Sequence, residues 1–135
     1  MDKQELATLN LVSAAQVGDA VYAARLRTYL LKEQMFLKPK DLHRIYASLE
    51  SARFQARMLE FLIEEQFFND DEIEILKRAR NQSTQTKAKN ATQKEYRYAT
   101  ALEAIIGYYT LDNQGARLDI LMEQILEKCG EYNGG

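Results

Sequence analysis

Two carboxylates stand where helical periodicity would place apolar side chains. Around Glu103, the residues at helical spacing are Tyr96, Ala99, Thr100, Ile106, Gly107 and Thr110; none is charged and several are small. Around Asp19 the same stepping meets Val12, Ala15, Tyr22, Ala23 and Leu26. A bare carboxylate on such a face is costly unless a cation, a proton or hydrogen bonds compensate it. If the two faces meet, two carboxylates share one site, and their repulsion would drive one to take up a proton. A hard divalent cation resolves that conflict, and Mg²⁺ is held by one or two carboxylates plus waters and substrate phosphates. Asp19 and Glu103 are thus the candidate catalytic and metal-ligating residues. The alternative is that an arginine or a set of N–H groups satisfies each acid separately.

The second chemical signal is a basic segment. Between Lys77 and Arg97 there are seven basic residues (Lys77, Arg78, Arg80, Lys87, Lys89, Lys94 and Arg97) against one acid, Glu95. That is +6 within 21 residues, in a chain whose net charge is −2. A polar, positively charged loop suits a phosphate backbone. The competing reading is a solvated loop whose lysines only aid solubility. The basic loop runs directly into the helix that bears Glu103. A metal–carboxylate site fed by a phosphate-binding loop implies phosphodiester hydrolysis, with the metal activating water. Lesser signals carry less. His43 suits a surface or capping role, Tyr96 and Tyr98 suit packing, and Cys129 lacks a partner for nucleophilic chemistry.

These groups have to be positioned by helices. With 46% hydrophobic and 28% charged residues, the 135-residue chain has the composition of one globular domain. One proline and six glycines leave little room for turn-dense β structure. A lone cysteine and a lone histidine offer no disulfide within the chain and no zinc cluster. The absence of a transmembrane-length apolar run and of a basic-then-apolar amino terminus points to a soluble, cytoplasmic chain with no membrane partner.

The periodicity predicts a helical lead-in over residues 1–10 and a long helix from Leu11 to Lys32. Gly18 lies inside that helix, where it would admit a close neighbour. Pro39 opens a helix running from Lys40 to Leu49. Ser51 caps one over Ala52–Gln66, and Asn69 caps a fourth. Residues 81–94 are expected as an exposed basic loop. A helix over Glu95–Leu111, a turn at 112–115 and a helix over Ala116–Lys128 complete the chain, with 130–135 as a frayed tail. The expected fold class is all-α.

Two stretches resemble the ribonuclease III family. Gln16-Val-Gly-Asp-Ala-Val-Tyr is similar to the Gly-Asp-Ala half of its signature, and Ala99-Thr-Ala-Leu-Glu-Ala-Ile-Ile-Gly-Tyr-Tyr to its second acidic helix. On this match Asp19 and Glu103 correspond to two of the family's metal-site acids. The chain departs from the common pattern at Ala15 and Thr100, where the family usually carries a glutamate and an aspartate. Those departures, the short length without space for a double-stranded-RNA-binding domain, and the runs Lys77-Arg-Ala-Arg-Asn, Tyr96-Arg-Tyr-Ala-Thr and Leu37-Lys-Pro-Lys-Asp-Leu-His resemble the Mini-III subgroup.

The resemblance implies a ribonuclease III-like helical domain acting as a homodimer, with two sites facing one RNA duplex. It implies Mg²⁺-dependent cleavage of double-stranded RNA, leaving 5′-phosphate and 3′-hydroxyl ends. The implied cellular role is maturation of the large-subunit (23S) ribosomal RNA precursor, with a ribosomal protein as a candidate partner. Lys77, Arg78, Arg80, Asn81, Lys87, Lys89 and Arg97 become the candidate RNA-binding residues. Ala15 and Thr100 keep a rival in view: a catalytically weak or inactive RNA- or ribosome-binding module.

Overall fold

A computed structural model describes residues 1–83 and 91–132, with side chains through residue 130. Seven helices follow in order: α1 (Lys3–Thr8), α2 (Leu11–Glu33), α3 (Pro39–Leu49), α4 (Ala52–Glu64), α5 (Asp70–Gln82), α6 (Gln93–Leu111) and α7 (Gly115–Tyr132). No strand occurs among the described residues, in keeping with the all-α expectation.

Local chemistry sets most of the helix starts. Asp2, Asn69 and Thr92 each accept from the N–H three residues on, and Glu5, Glu72 and Glu95 return the bond, forming capping boxes. Asn10 and Ser51 cap α2 and α4 singly. The chain fills more of its length with helix than periodicity alone suggested. The Thr92 box starts α6 at Gln93, and α5 runs on through Asn81 and Gln82, so both ends of the expected 81–94 loop are helical. Gln82 is also tied down, its side chain accepting from the Leu11 N–H at 3.0 Å. At the other end, α7 continues through Gly130 to Tyr132, where a frayed tail was expected; residues 133–135 lie outside the described part. In contrast, α4 stops at Glu64, and Gln66 turns the chain in the left-handed region (φ 56°).

The central element is α6. Nine of its residues are buried, pointing in most directions around its axis, as expected of a helix enclosed by others. It packs against α2, α4, α5 and α7, most extensively against α2. Two glycines make that closest packing possible. A Cβ on Gly18 would lie 1.7 Å from the Glu103 carbonyl oxygen, and one on Gly107 would lie 1.9 Å from that of Ala14. The backbones of α2 and α6 therefore touch directly at the level of Glu103, as the placement of Gly18 suggested.

The most buried charged side chain is paired. Glu72 is 4% exposed. It accepts from Arg117 Nε and Nη2 at 2.9 and 2.7 Å and from the Tyr109 hydroxyl at 2.7 Å. Arg117 also donates to the Phe67 carbonyl and lies over the Phe67 ring. This clasp joins α5, α6 and α7. Sequence reading assigned Glu72 only to the positive end of α5.

Candidate active site

The close approach of α2 and α6 brings Asp19 and Glu103 together. Both line an open cavity of about 270 Å³, with Val12, Ala15, Gln16, Tyr96 and Thr100 completing its wall. Asp19 is near enough to Glu103 to raise its carboxyl. Their settings differ. Glu103 is partly enclosed, whereas Asp19 is exposed at the mouth. The expectation of two carboxylates on packed faces thus holds for Glu103 and is corrected for Asp19. The buried stripe of α2 runs through Leu11, Ala15, Gly18, Tyr22 and Leu26, one step around the helix from Asp19.

No described basic side chain forms an ion pair with either acid, and none lines the cavity. Burial, and then Asp19 beside it, push the Glu103 carboxyl up to about 9. At neutral pH without a cation, the pair therefore retains a proton that two solvated acids would have lost. Gln55 on α4 adds a neutral contact, its Nε2 donating to Glu103 Oε2 at 3.4 Å. Sequence reading missed Gln55. Its signal was an amide within the apolar run of α4.

The two residues at which the chain departs from the resembled pattern, Ala15 and Thr100, are both buried. Ala15 is buried against the core. Thr100 is 7% exposed. Its hydroxyl donates to the Tyr96 carbonyl at 3.0 Å and accepts from Ser83 at 3.4 Å. No cluster of three or more acidic, histidine or cysteine side chains able to hold a metal occurs among the described residues.

The basic candidates are distributed otherwise than their sequence proximity suggested. Lys77 and Arg80 line a groove with Leu59, Ile63, Tyr98 and Ala101. Tyr98 and Ala101 lie on the opposite side of α6 from Tyr96, Thr100 and Glu103, by the 3.6-residue turn. Arg78 is turned inward. Its guanidinium donates to the carbonyls of Leu6, Ala7 and Leu9 at 3.2–3.3 Å, clasping α1 and its link to α2. Asn81 is exposed on the last turn of α5. Arg97 is half-buried, and its Nε has no hydrogen-bond partner among the described residues. Lys87 and Lys89 lie outside the described residues. Cys129 is fully buried, and burial pushes its thiol up to about 12, which removes it as a nucleophile. A larger groove beside α2 and α7, about 600 Å³, is lined by Val21, Ala24, Tyr29 and Leu118 among others and contains no carboxylate.

Residues 13–114 match the ribonuclease III domain, a span that contains both carboxylates. The chain belongs to the ribonuclease III family. It groups with the Mini-ribonuclease 3 members and is an endoribonuclease. The Mini-ribonuclease 3 of Staphylococcus aureus is 40% identical, covering 97% of this chain and 99% of that protein. That of Streptococcus pneumoniae is 38% identical over 89% and 93% of the two chains. A crystal structure of a Fusobacterium nucleatum protein superimposes with a TM-score of 0.79 at 25% identity, covering 92% of this chain and 97% of the other. The family pattern thus extends over the helices that place Asp19 and Glu103. Among the described residues, no helix is long and apolar enough to cross a membrane.

Proposed function

We propose that this chain is an Mg²⁺-dependent endoribonuclease that cuts double-stranded RNA. The observation that carries the reading is the meeting of Asp19 and Glu103 in one open cavity that no described basic side chain lines, with no described ion pair to either acid. The donor set fits a hard divalent ion: two carboxylates from different helices, an open mouth for waters and phosphate oxygens, and an unmet demand for positive charge. Asp19 and Glu103 would hold Mg²⁺. When bound, the ion supplies an activated water and neutralises charge developing on the scissile phosphate. The chain's own part is positional. Glu103 is held by the α2–α6 contact, and Asp19 stands exposed at the mouth. Hydrolysis adds water across the phosphodiester and breaks the P–O3′ bond, leaving a 5′-phosphate and a 3′-hydroxyl.

One chain carries one carboxylate pair, so cutting both strands of a duplex calls for a homodimer. Lys77, Arg80, Asn81, Lys87, Lys89 and Arg97 are the residues proposed to contact the RNA. Lys77 and Arg80, on the far side of α6, would act away from the cut. The proposed cellular substrate is the 23S ribosomal RNA precursor in the cytoplasm, with a ribosomal protein as candidate partner. The likeness to the Mini-ribonuclease 3 proteins supports the reaction class.

The test is cleavage of long duplex RNA with and without Mg²⁺, with Asp19→Asn alongside. Wild type cuts only with the metal. Asp19→Asn loses cleavage by at least about a hundredfold, since one of two ligands is gone, while its RNA binding stays intact. Full activity in that variant would remove the site. An inactive wild type that still binds duplex would favour the binding-module reading that Ala15 and Thr100 keep alive.

A further inference from the structure

Gln55 lies on α4 among residues that form the core. Phe54, Ala56, Met58, Leu59 and Leu62 around it are all buried, and Gln55 itself is 2% exposed. A carboxamide enclosed so completely is costly unless its polar atoms find partners. Its Nε2 donates to Glu103 Oε2 at 3.4 Å. The contact arrives from α4, while Asp19 approaches the same carboxylate from α2. Glu103 is thereby addressed from two helices.

We propose that Gln55 is a positioning residue for the metal site, its amide fixing the Glu103 carboxylate in the orientation from which it and Asp19 address one cation. The inference rests on the reading that this pair holds a divalent ion. The residue type suits the role. An arginine or lysine at this place would also hold Glu103, but it would supply the positive charge that the cation must supply. A neutral amide orients the carboxylate and leaves that demand open. Groups one step out from a ligand commonly change metal affinity by about 10- to 100-fold when removed.

The experiment measures Mn²⁺ binding to the RNA-free full chain by electron paramagnetic resonance, and the Mg²⁺ dependence of duplex cleavage. The variants are Gln55→Met, Gln55→Glu and Asp19→Asn. Gln55→Met matches the volume and suits the apolar surroundings. It should bind Mn²⁺ about tenfold more weakly and require more Mg²⁺ for half-maximal cleavage, with RNA binding unchanged. Gln55→Glu places a third carboxylate beside the pair. It should lower the melting temperature of the metal-free protein and tighten Mn²⁺ binding. A purely structural role would move melting temperatures and leave metal affinity alone.

Wild-type Mn²⁺ affinity in a folded Gln55→Met overturns the proposal. If that variant does not fold, unchanged affinity in Gln55→Glu overturns it instead. Asp19→Asn separates the two levels. If it loses Mn²⁺ while the Gln55 variants do not, only the role of Gln55 falls. If it binds Mn²⁺ as wild type does, the carboxylate site falls, and Gln55 with it.

Discussion

Glu103 is expected to destabilise the metal-free fold as its carboxyl loses its proton. Its carboxyl is pushed up to about 9 by burial and by Asp19, against an ordinary value of 4.5. The folded chain therefore holds a proton that the unfolded chain has already released above pH 4.5. Stability must fall as pH rises between those two values and level off beyond them. Glu103→Gln removes this dependence. Without metal, the variant should be more stable than wild type by about 1–3 kcal/mol at pH 9 and show no such advantage below pH 4.5. Urea unfolding at both pH values reads the difference. An equal gain at both would mean that the carboxylate's charge is not the cause. Arg78 carries a different lesson at this scale. Its sequence neighbourhood suggested RNA, yet three of its five N–H donors go to backbone carbonyls of α1 and the link that follows it.

Between elements, the decisive feature is the absence of side chains where α2 crosses α6. Gly18 and Gly107 each face a backbone carbonyl of the other helix at less than van der Waals distance for any added Cβ. A backbone carbonyl cannot swing aside as a side-chain tip can. Gly18→Ala should therefore push the helices apart and cost about 1–3 kcal/mol or more. Because Asp19 adjoins Gly18 and the clash is with Glu103 itself, cleavage should fall even where the variant remains folded. Gly130 in α7 is the contrast, since an added Cβ there meets nothing within 4 Å. Gly130→Ala should leave activity unchanged and raise stability by up to about 1 kcal/mol. Thermal melts and cleavage rates of the two variants give the comparison. A harmless Gly18→Ala would contradict the packing.

The molecule as a whole is held by an apolar core drawn from α2 to α7 and by one buried charged clasp. Burial alone would raise the Glu72 carboxyl, but hydrogen bonds from Arg117, the Asn69 N–H and Tyr109 outweigh it and hold it below the usual value. Its contribution is present at neutral pH and is lost as pH falls through that lowered value. Glu72→Gln leaves Arg117 short of its countercharge and should cost about 2–4 kcal/mol at pH 7, shrinking in acid. Denaturant midpoints at pH 7 and pH 3 check this, and an equal loss at both would assign the effect to packing. Much of this architecture was legible beforehand. Ser51, Asn69 and Pro39 marked helix starts, and periodicity marked the apolar stripes, because caps and stripes are written within a few residues of one another. The two displaced acids were visible for the same reason. What the chain alone left open was which distant group satisfies each buried one: that Asp19 would stand exposed beside Glu103, that Gln55 would reach across from α4, that Arg78 would turn toward α1 and Glu72 toward Arg117. Those pairings depend on how helices far apart in sequence lie against each other, which only the packed tertiary structure decides: α2 against α6 for the two acids, α4 against α6 for Gln55, and α5 against α1 and α7 for Arg78 and Glu72.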